Sequence, residues 1–148
     1  MRPGFELPNH GDTEARSGTG KDERMLKHGS VTGDVVDGSV KVHSRLGPGL
    51  LESAYERCLA FELRRRGHRV ETQVQQSIVY DGVILDACYR LDMLVDDVVI
   101  VELKTVEKIL PVHEAQLLSY LRLSGREVGL LINFRVARVR DGIKRLVL

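Results

Sequence analysis

Cysteine is scarce in this sequence. There are two, Cys58 and Cys88, and neither belongs to a CxxC pair. That excludes a cysteine-based zinc framework and a disulfide-stapled secreted scaffold, and it fits a reducing compartment. Long apolar runs are missing too. No stretch approaches the ~20 residues that span a bilayer, and the N-terminus lacks the charged-then-apolar order of a signal peptide. A cytoplasmic location with no membrane partner is therefore expected. Net charge is almost absent, at +1, but it is unevenly spread. Residues 71–116 hold three Lys/Arg against nine Asp/Glu, and residues 117–148 hold seven against two. An acidic centre beside a basic segment suits a protein that binds a cation and grips a polyanion, although proteins that do neither share the pattern.

What is present reads as one domain with a tail. A chain of 148 residues is long enough to bury a real core. Residues 1–30, from Arg2-Pro3-Gly4 through Ser17-Gly18-Thr19-Gly20, are rich in Gly, Pro and charge and have no apolar period, so a disordered tail is expected there. The domain is expected over 31–148. Val35, Val36, Val40 and Leu46 recur at helical spacing, weakened by Gly33 and Gly38, before the break Gly47-Pro48-Gly49. Residues 50–66 predict a helix with Leu51, Ala54, Tyr55, Cys58 and Leu59 as its apolar stripe and Gly67 as its stop. Strands are predicted over 69–80, 84–95 and 98–104, with Asp96-Asp97 as the turn between the last two. A helix opens at Pro111 and runs to Gly125. A buried strand over 127–133 follows, and the basic tail is ambiguous, with a strand pair as one option.

The informative oddity is Glu102-Leu103-Lys104, at the end of Val98-Val99-Ile100-Val101. Four β-branched residues in a row read as a strand buried on both faces. Charges there cost several kcal/mol per ion unless they are paired or bind something. Period two puts Glu102 and Lys104 on one face. Asp92 interrupts another apolar strand ten residues earlier. Two carboxylates and a lysine aimed at one sheet suit phosphodiester cleavage. A cation held by Asp92, Glu102 and the Leu103 carbonyl would neutralise phosphate charge and acidify a water. Lys104 would hold or deprotonate that water, or stabilise the phosphate. The bland alternative is a structural Glu102–Lys104 ion pair near solvent.

The spacing D-x9-E-x-K resembles the signature of the PD-(D/E)XK nuclease superfamily, without the literal proline before Asp92. Gly49-Leu50-Leu51-Glu52-Ser53-Ala54-Tyr55 reads G-x-x-E-x-x-Y, and the wider chain, with RLD at 90–92, VELK, PVHEAQLLSYL and LLINF, is similar to the GxxExxY family. The resemblance implies a restriction-endonuclease-like α/β core, a mixed central sheet flanked by helices. It also implies Mg²⁺ or Mn²⁺ as cofactor and a nucleic-acid substrate, with DNA favoured. Glu52 matches an acidic position on the first core helix that assists at the metal. Gln116-x-x-x-Tyr120 resembles a motif of the exonuclease-like branch and would orient groups at the site. At this size, specificity would be low or shared with a homodimer mate.

Other charged and aromatic positions have plainer expectations. Tyr55 and His43 read as core or near-core, His113 as a solvent-facing histidine at a helix start, Arg64-Arg65-Arg66 as a solvated helix end, and Asp96 and Asp97 as ordinary turn carboxylates. Arg135, Arg138, Arg140, Lys144 and Arg145 are candidates to grip a backbone. Two non-enzymatic functions compete: a nucleic-acid-binding module without turnover, and an interaction protein that docks through its acidic face. One geometric demand decides the metal site. A two-residue Asp96-Asp97 loop pairs Asp92 with Val101 and puts Asp92 and Glu102 on opposite faces. They converge only if the loop is odd in length or a bulge intervenes.

Overall fold

The computed structural model describes residues 6–148, with side chains described continuously from His28 onward. The elements are α1 (Glu6–Leu46), α2 (Glu52–Arg65), β1 (Val70–Tyr80), β2 (Val83–Val95), β3 (Val99–Lys104), α3 (Pro111–Ser124), β4 (Val128–Asn133), a 3₁₀ turn (Val139–Gly142) and β5 (Ile143–Val147). The chain divides into two compact units at Ser30/Val31. Of the tail expected to be disordered, residues 1–5, including Arg2-Pro3-Gly4, lie outside the described residues. From Glu6 the backbone is helical, although that stretch has no apolar stripe. Among the described residues the hydrophobic core begins at Val31.

In the second unit, five strands form one sheet in the order β1-β2-β3-β4-β5. All neighbours are antiparallel except β3 and β4, which are parallel and joined by α3 as the crossover. The sheet is therefore mixed, and it has helices on both faces. One apolar cluster joins Val35 and Val42 of α1 and Tyr55, Leu59 and Leu63 of α2 to Met93, Val99, Val101 and Leu103. The other joins Leu117 and Leu121 of α3 to Leu94, Ile100 and Leu131. Successive residues of β3 thus feed opposite clusters, which is why its sequence is a continuous apolar run.

Several expectations need correction. Gly38 does not weaken α1 without return: a Cβ there would meet Leu59 Cδ1 at 3.3 Å, so the glycine lets α1 lie close to α2. On α2 the buried stripe is Tyr55, Leu59, Ala60, Glu62 and Leu63, while Leu51 and Cys58 are exposed. The basic tail contributes the 3₁₀ turn and the single strand β5, not a strand pair.

The Arg64-Arg65-Arg66 run is also bound, not merely solvated. Arg65 and Arg66 hold the buried Glu62 at 2.5 and 2.9 Å, and Arg64 donates to the Val70 carbonyl. The Arg66 hydrogen bond comes first among the contacts that draw the Glu62 carboxyl down to a pKa of about 2.

The loop between β2 and β3 meets the geometric demand. Val95 pairs with Val99, so the loop has three residues, Asp96, Asp97 and Val98, instead of the two expected. Asp96 and Asp97 take left-handed φ of 51° and 60°, which Asp tolerates better than most residues. The turn is fixed from outside. His68 approaches Asp96 Oδ2 at 2.6 Å through Nδ1 and Asp34 Oδ2 at 2.6 Å through Nε2. The Arg69 amide donates to Asp96 Oδ1 and the Asp96 amide to the Arg69 carbonyl. Asp97 accepts from Arg126 at 2.6 Å. Both aspartates are anchors, contrary to their reading as ordinary turn carboxylates.

Candidate active site

The paired register of β2 and β3 ends with Met93 opposite Val101, and Asp92 and Glu102 are the next residue on each strand. The strands part at this point, and the two side chains take over the pairing. The Asp92 amide donates to Glu102 Oε1 at 3.2 Å, and the Leu103 amide donates to Asp92 Oδ2 at 3.0 Å. On the other side of β2, Gln73 falls opposite Asp92, between the pairs Thr72–Met93 and Val74–Leu91, and adopts a left-handed φ of 54°. Leu91 and Leu94, an odd number of residues apart, both pack under α3. The sheet is irregular on either side of Asp92, a placement common for bulges and strained residues next to working sites.

Glu102 is 4% exposed. Burial first, and then the charge of Asp92, push its carboxyl up to a pKa of about 9. Lys104 does not relieve it with a close ion pair. Its Nζ donates to Gln116 Oε1 on α3 at 3.2 Å. The structural ion pair considered above is therefore not formed. Gln116 in turn bonds the Tyr120 hydroxyl, which is raised above its ordinary pKa by burial and then by the charge of Glu102. Tyr120 stacks on Tyr89 at 4.9 Å between ring centres. The buried Asn133 ties down the segment after Lys104, donating to the Val106 carbonyl and accepting its amide.

Glu52 approaches from the first turn of α2. It is exposed on its outer side and lines a cavity of about 210 Å³ with Ser53, Glu56, Gln73, Asp92 and Leu103. Partial burial, then the charge of Asp92, raise its carboxyl above the usual range. Tyr55 explains how α2 presents Glu52. It is fully buried, stacked on Phe134 at 4.5 Å. Its hydroxyl bonds the Gly47 carbonyl and accepts from the Leu50 amide at 3.1 Å, fixing the turn from which α2 starts.

The structure thus gathers Asp92, Glu102, Lys104, Glu52, Gln116 and Tyr120 around one end of the sheet. His113 is not among them: its Nδ1 accepts the Leu110 amide at 2.9 Å and serves as a helix-start cap. His43 is buried, with Nε2 2.8 Å from the Val136 carbonyl. Of the basic residues near the C-terminus, Arg140 and Lys144 are engaged by Asp37 and Glu114. Gln73 was not legible as a site residue, because nothing in a glutamine on an alternating strand announces a left-handed backbone.

The donor set suits a hard divalent cation. Carboxylate oxygens of Asp92 and Glu102 and the carbonyl of Leu103 are oxygen donors of the kind Mg²⁺ and Mn²⁺ take, with waters completing the shell. Two crowded carboxylates, with the nearby lysine turned to Gln116, are what such a cation neutralises. Among the described residues no group of three or more His, Cys, Asp or Glu side chains is placed to hold a metal ion, so the protein's donors here are the two carboxylates and the backbone carbonyl. An acidic pocket without a cation would repel a phosphodiester.

No curated protein and no solved structure matches the chain significantly. A family model described as the PD-(D/E)XK nuclease superfamily matches residues 29–146.

Proposed function

The chain belongs to the PD-(D/E)XK nuclease superfamily, and from that membership and the site geometry we propose that it is a metal-dependent phosphodiesterase acting on nucleic acid, in the GxxExxY branch, with DNA the favoured substrate. One observation carries the proposal: the Asp92 and Glu102 carboxylates interlock where β2 and β3 part, the Asp92 amide donating to Glu102 and the Leu103 amide to Asp92, with Lys104 two residues further along β3.

Asp92, Glu102 and the Leu103 carbonyl would hold Mg²⁺ or Mn²⁺, with Glu52 at its outer side. Bound there, the cation supplies charge for the phosphate and acidity for a water. The chain's own side chains do the remaining work. Lys104 offers an ammonium to the reacting oxygens, and its hydrogen bond to Gln116 fixes its direction. Gln116 and Tyr120 form a polar rim that positions water or a phosphate oxygen. Tyr120 holds its proton at neutral pH, so it donates a hydrogen bond to what it touches.

The test is a thermal-shift titration with Mg²⁺ and Mn²⁺ on wild type and Asp92→Ala, run beside cleavage of mixed DNA and RNA. Stabilisation and cleavage that both disappear in the variant are expected. A wild type indifferent to both cations, with no cleavage, would sink the enzymatic reading and favour a binding module.

A further inference from the structure

The reacting pocket does not end at Glu56. A second cavity of about 460 Å³ is lined by Glu56, Arg57, Ala60, Phe61, Arg64 and Thr72, so the two share Glu56. From Glu52 to Arg64 the residues lining the two cavities follow one helical stripe of α2, roughly 18 Å at 1.5 Å per residue, with β1 as the opposite wall through Thr72 and Gln73.

The lining is unusual for a surface helix. Phe61 is 63% exposed, so its ring contributes little to the core. The Arg65 guanidinium lies 5.5 Å from its ring centre on one face, which leaves the other face for a planar partner. Arg57 has no hydrogen-bond or ion-pair partner among the described residues. Arg64 uses one of its five donors on the Val70 carbonyl and keeps the rest. Glu56, the acidic group of the groove, is turned onto the Gln73 amide at 2.6 Å. An exposed aromatic ring between two guanidinium groups that have no acidic partner, continuous with the proposed phosphodiester site, is the combination that holds unpaired nucleotides: the ring stacks a base and the cations meet phosphates.

We infer that the groove between α2 and β1 binds a single-stranded polynucleotide segment adjoining the reacting phosphate, stacking one base on Phe61 and meeting the backbone with Arg57 and Arg64. This rests on the proposed nuclease activity and adds a substrate class to it. A paired base is stacked within its duplex and cannot offer its face to Phe61. The groove therefore selects single strands or frayed ends over intact duplex.

The experiment measures anisotropy of labelled single-stranded DNA, single-stranded RNA and blunt duplex DNA in EDTA, for wild type, Phe61→Leu, Phe61→Trp and Arg57→Glu, with steady-state cleavage alongside. Phe61→Leu should weaken single-strand binding about tenfold, the scale of one lost base stack, and Phe61→Trp should restore it. Arg57→Glu should weaken binding and flatten its salt dependence by about 0.7 or more in the log–log slope. Duplex affinity should not move with Phe61→Leu. In cleavage, Phe61→Leu should raise KM with kcat kept. Whichever of DNA or RNA the wild type prefers, the same pattern supports the groove.

Single strands bound no more tightly than duplex, or binding indifferent to Phe61→Leu, would overturn it. Phe61-dependent binding without cleavage of any substrate would remove the activity and leave the groove standing. Cleavage unaffected by changes at Phe61 and Arg57 would do the reverse.

Discussion

Replacing Asp92 by asparagine should stabilise the metal-free protein while abolishing cleavage. Asp92 and Glu102 are crowded across one sheet position, and Glu102 has almost no contact with water. Two full charges about 4 Å apart interact by about 4 kcal/mol at an effective dielectric constant near 20. Glu102 avoids most of that by staying protonated up to about pH 9, so near pH 7 only a fraction is recoverable. Asparagine keeps an oxygen for the Leu103 amide and loses the charge, for an expected gain of about 0.5–1.5 kcal/mol, or about 2–6 °C in Tm. The sign with pH follows from linkage. A carboxyl whose folded pKa is raised contributes stability that is full below its unfolded pKa, about 4.3, and is lost as pH rises towards about 9. With Asp92 neutral, Glu102 gives up its proton earlier and the loss stops sooner. Melting curves in EDTA should therefore show a small advantage for Asp92→Asn at pH 5 that widens towards pH 9. Added Mn²⁺ should then reverse the order, because a cation at 100 times its Kd stabilises the wild type by about 2.7 kcal/mol. A variant less stable than wild type in EDTA at every pH would refute the reasoning and make Asp92 a structural hydrogen-bond acceptor.

The clamp at the loop should give its own pH signature. Burial opposes charge on His68, but the hydrogen bonds its ring donates to Asp96 and Asp34 outweigh it and hold its pKa above the usual value. Both ring nitrogens face carboxylates, so the clamp needs the imidazolium. Its contribution is present below about pH 6.5 and is lost as pH rises through the raised folded value. Unfolding free energies from urea titrations between pH 6 and 9 should fall by about 1 kcal/mol more in wild type than in His68→Gln. Gly142→Ala should cost about 1–3 kcal/mol in chemical denaturation, because its Cβ would collide with the Asn133 carbonyl oxygen and sit 3.1 Å from Val136 Cγ2. Deleting residues 1–30 should leave a cooperative melt within a few degrees of the full chain, since the described core starts at Val31.

The sheet and the convergence of Asp92, Glu102 and Lys104, the core of the candidate site, were legible because these residues contradict their surroundings. A glutamate and a lysine closing a run of β-branched residues have few structural uses, and the period of a strand says which face they share. The same period demanded an odd loop or a bulge, and the structure has the odd loop, with Val98 as its third residue. Less was visible where position depends on partners far along the chain. Asp34, His68 and Asp96 meet across 34 and 28 residues, so nothing local marks Asp34 or His68, and Asp96 reads as an ordinary turn carboxylate. Cys58 was assigned to the apolar stripe by type, but the buried side of α2 is set by Leu59 and Leu63 against Gly38. Glu62 occupies a core position that composition alone would give to an apolar residue. It is tolerated because Arg65, Arg66 and Lys41 reach it. Gln73 takes a backbone conformation that its chemistry does not favour, beside the position where the sheet opens.

The three-residue turn at Asp96 has a consequence for how this gene can change. A β-hairpin counts residues more strictly than it identifies them. Substitutions at Asp96, Asp97 or Val98 can be absorbed by small shifts in the turn. A single-codon insertion or deletion cannot without a compensating bulge, since it would turn the whole of β3 over relative to β2 and send Glu102 and Lys104 to the face away from Asp92. Lengthening by two codons would return both to the same side. Within descendants that keep the activity, length variation here should come in even steps, whatever residues fill the loop.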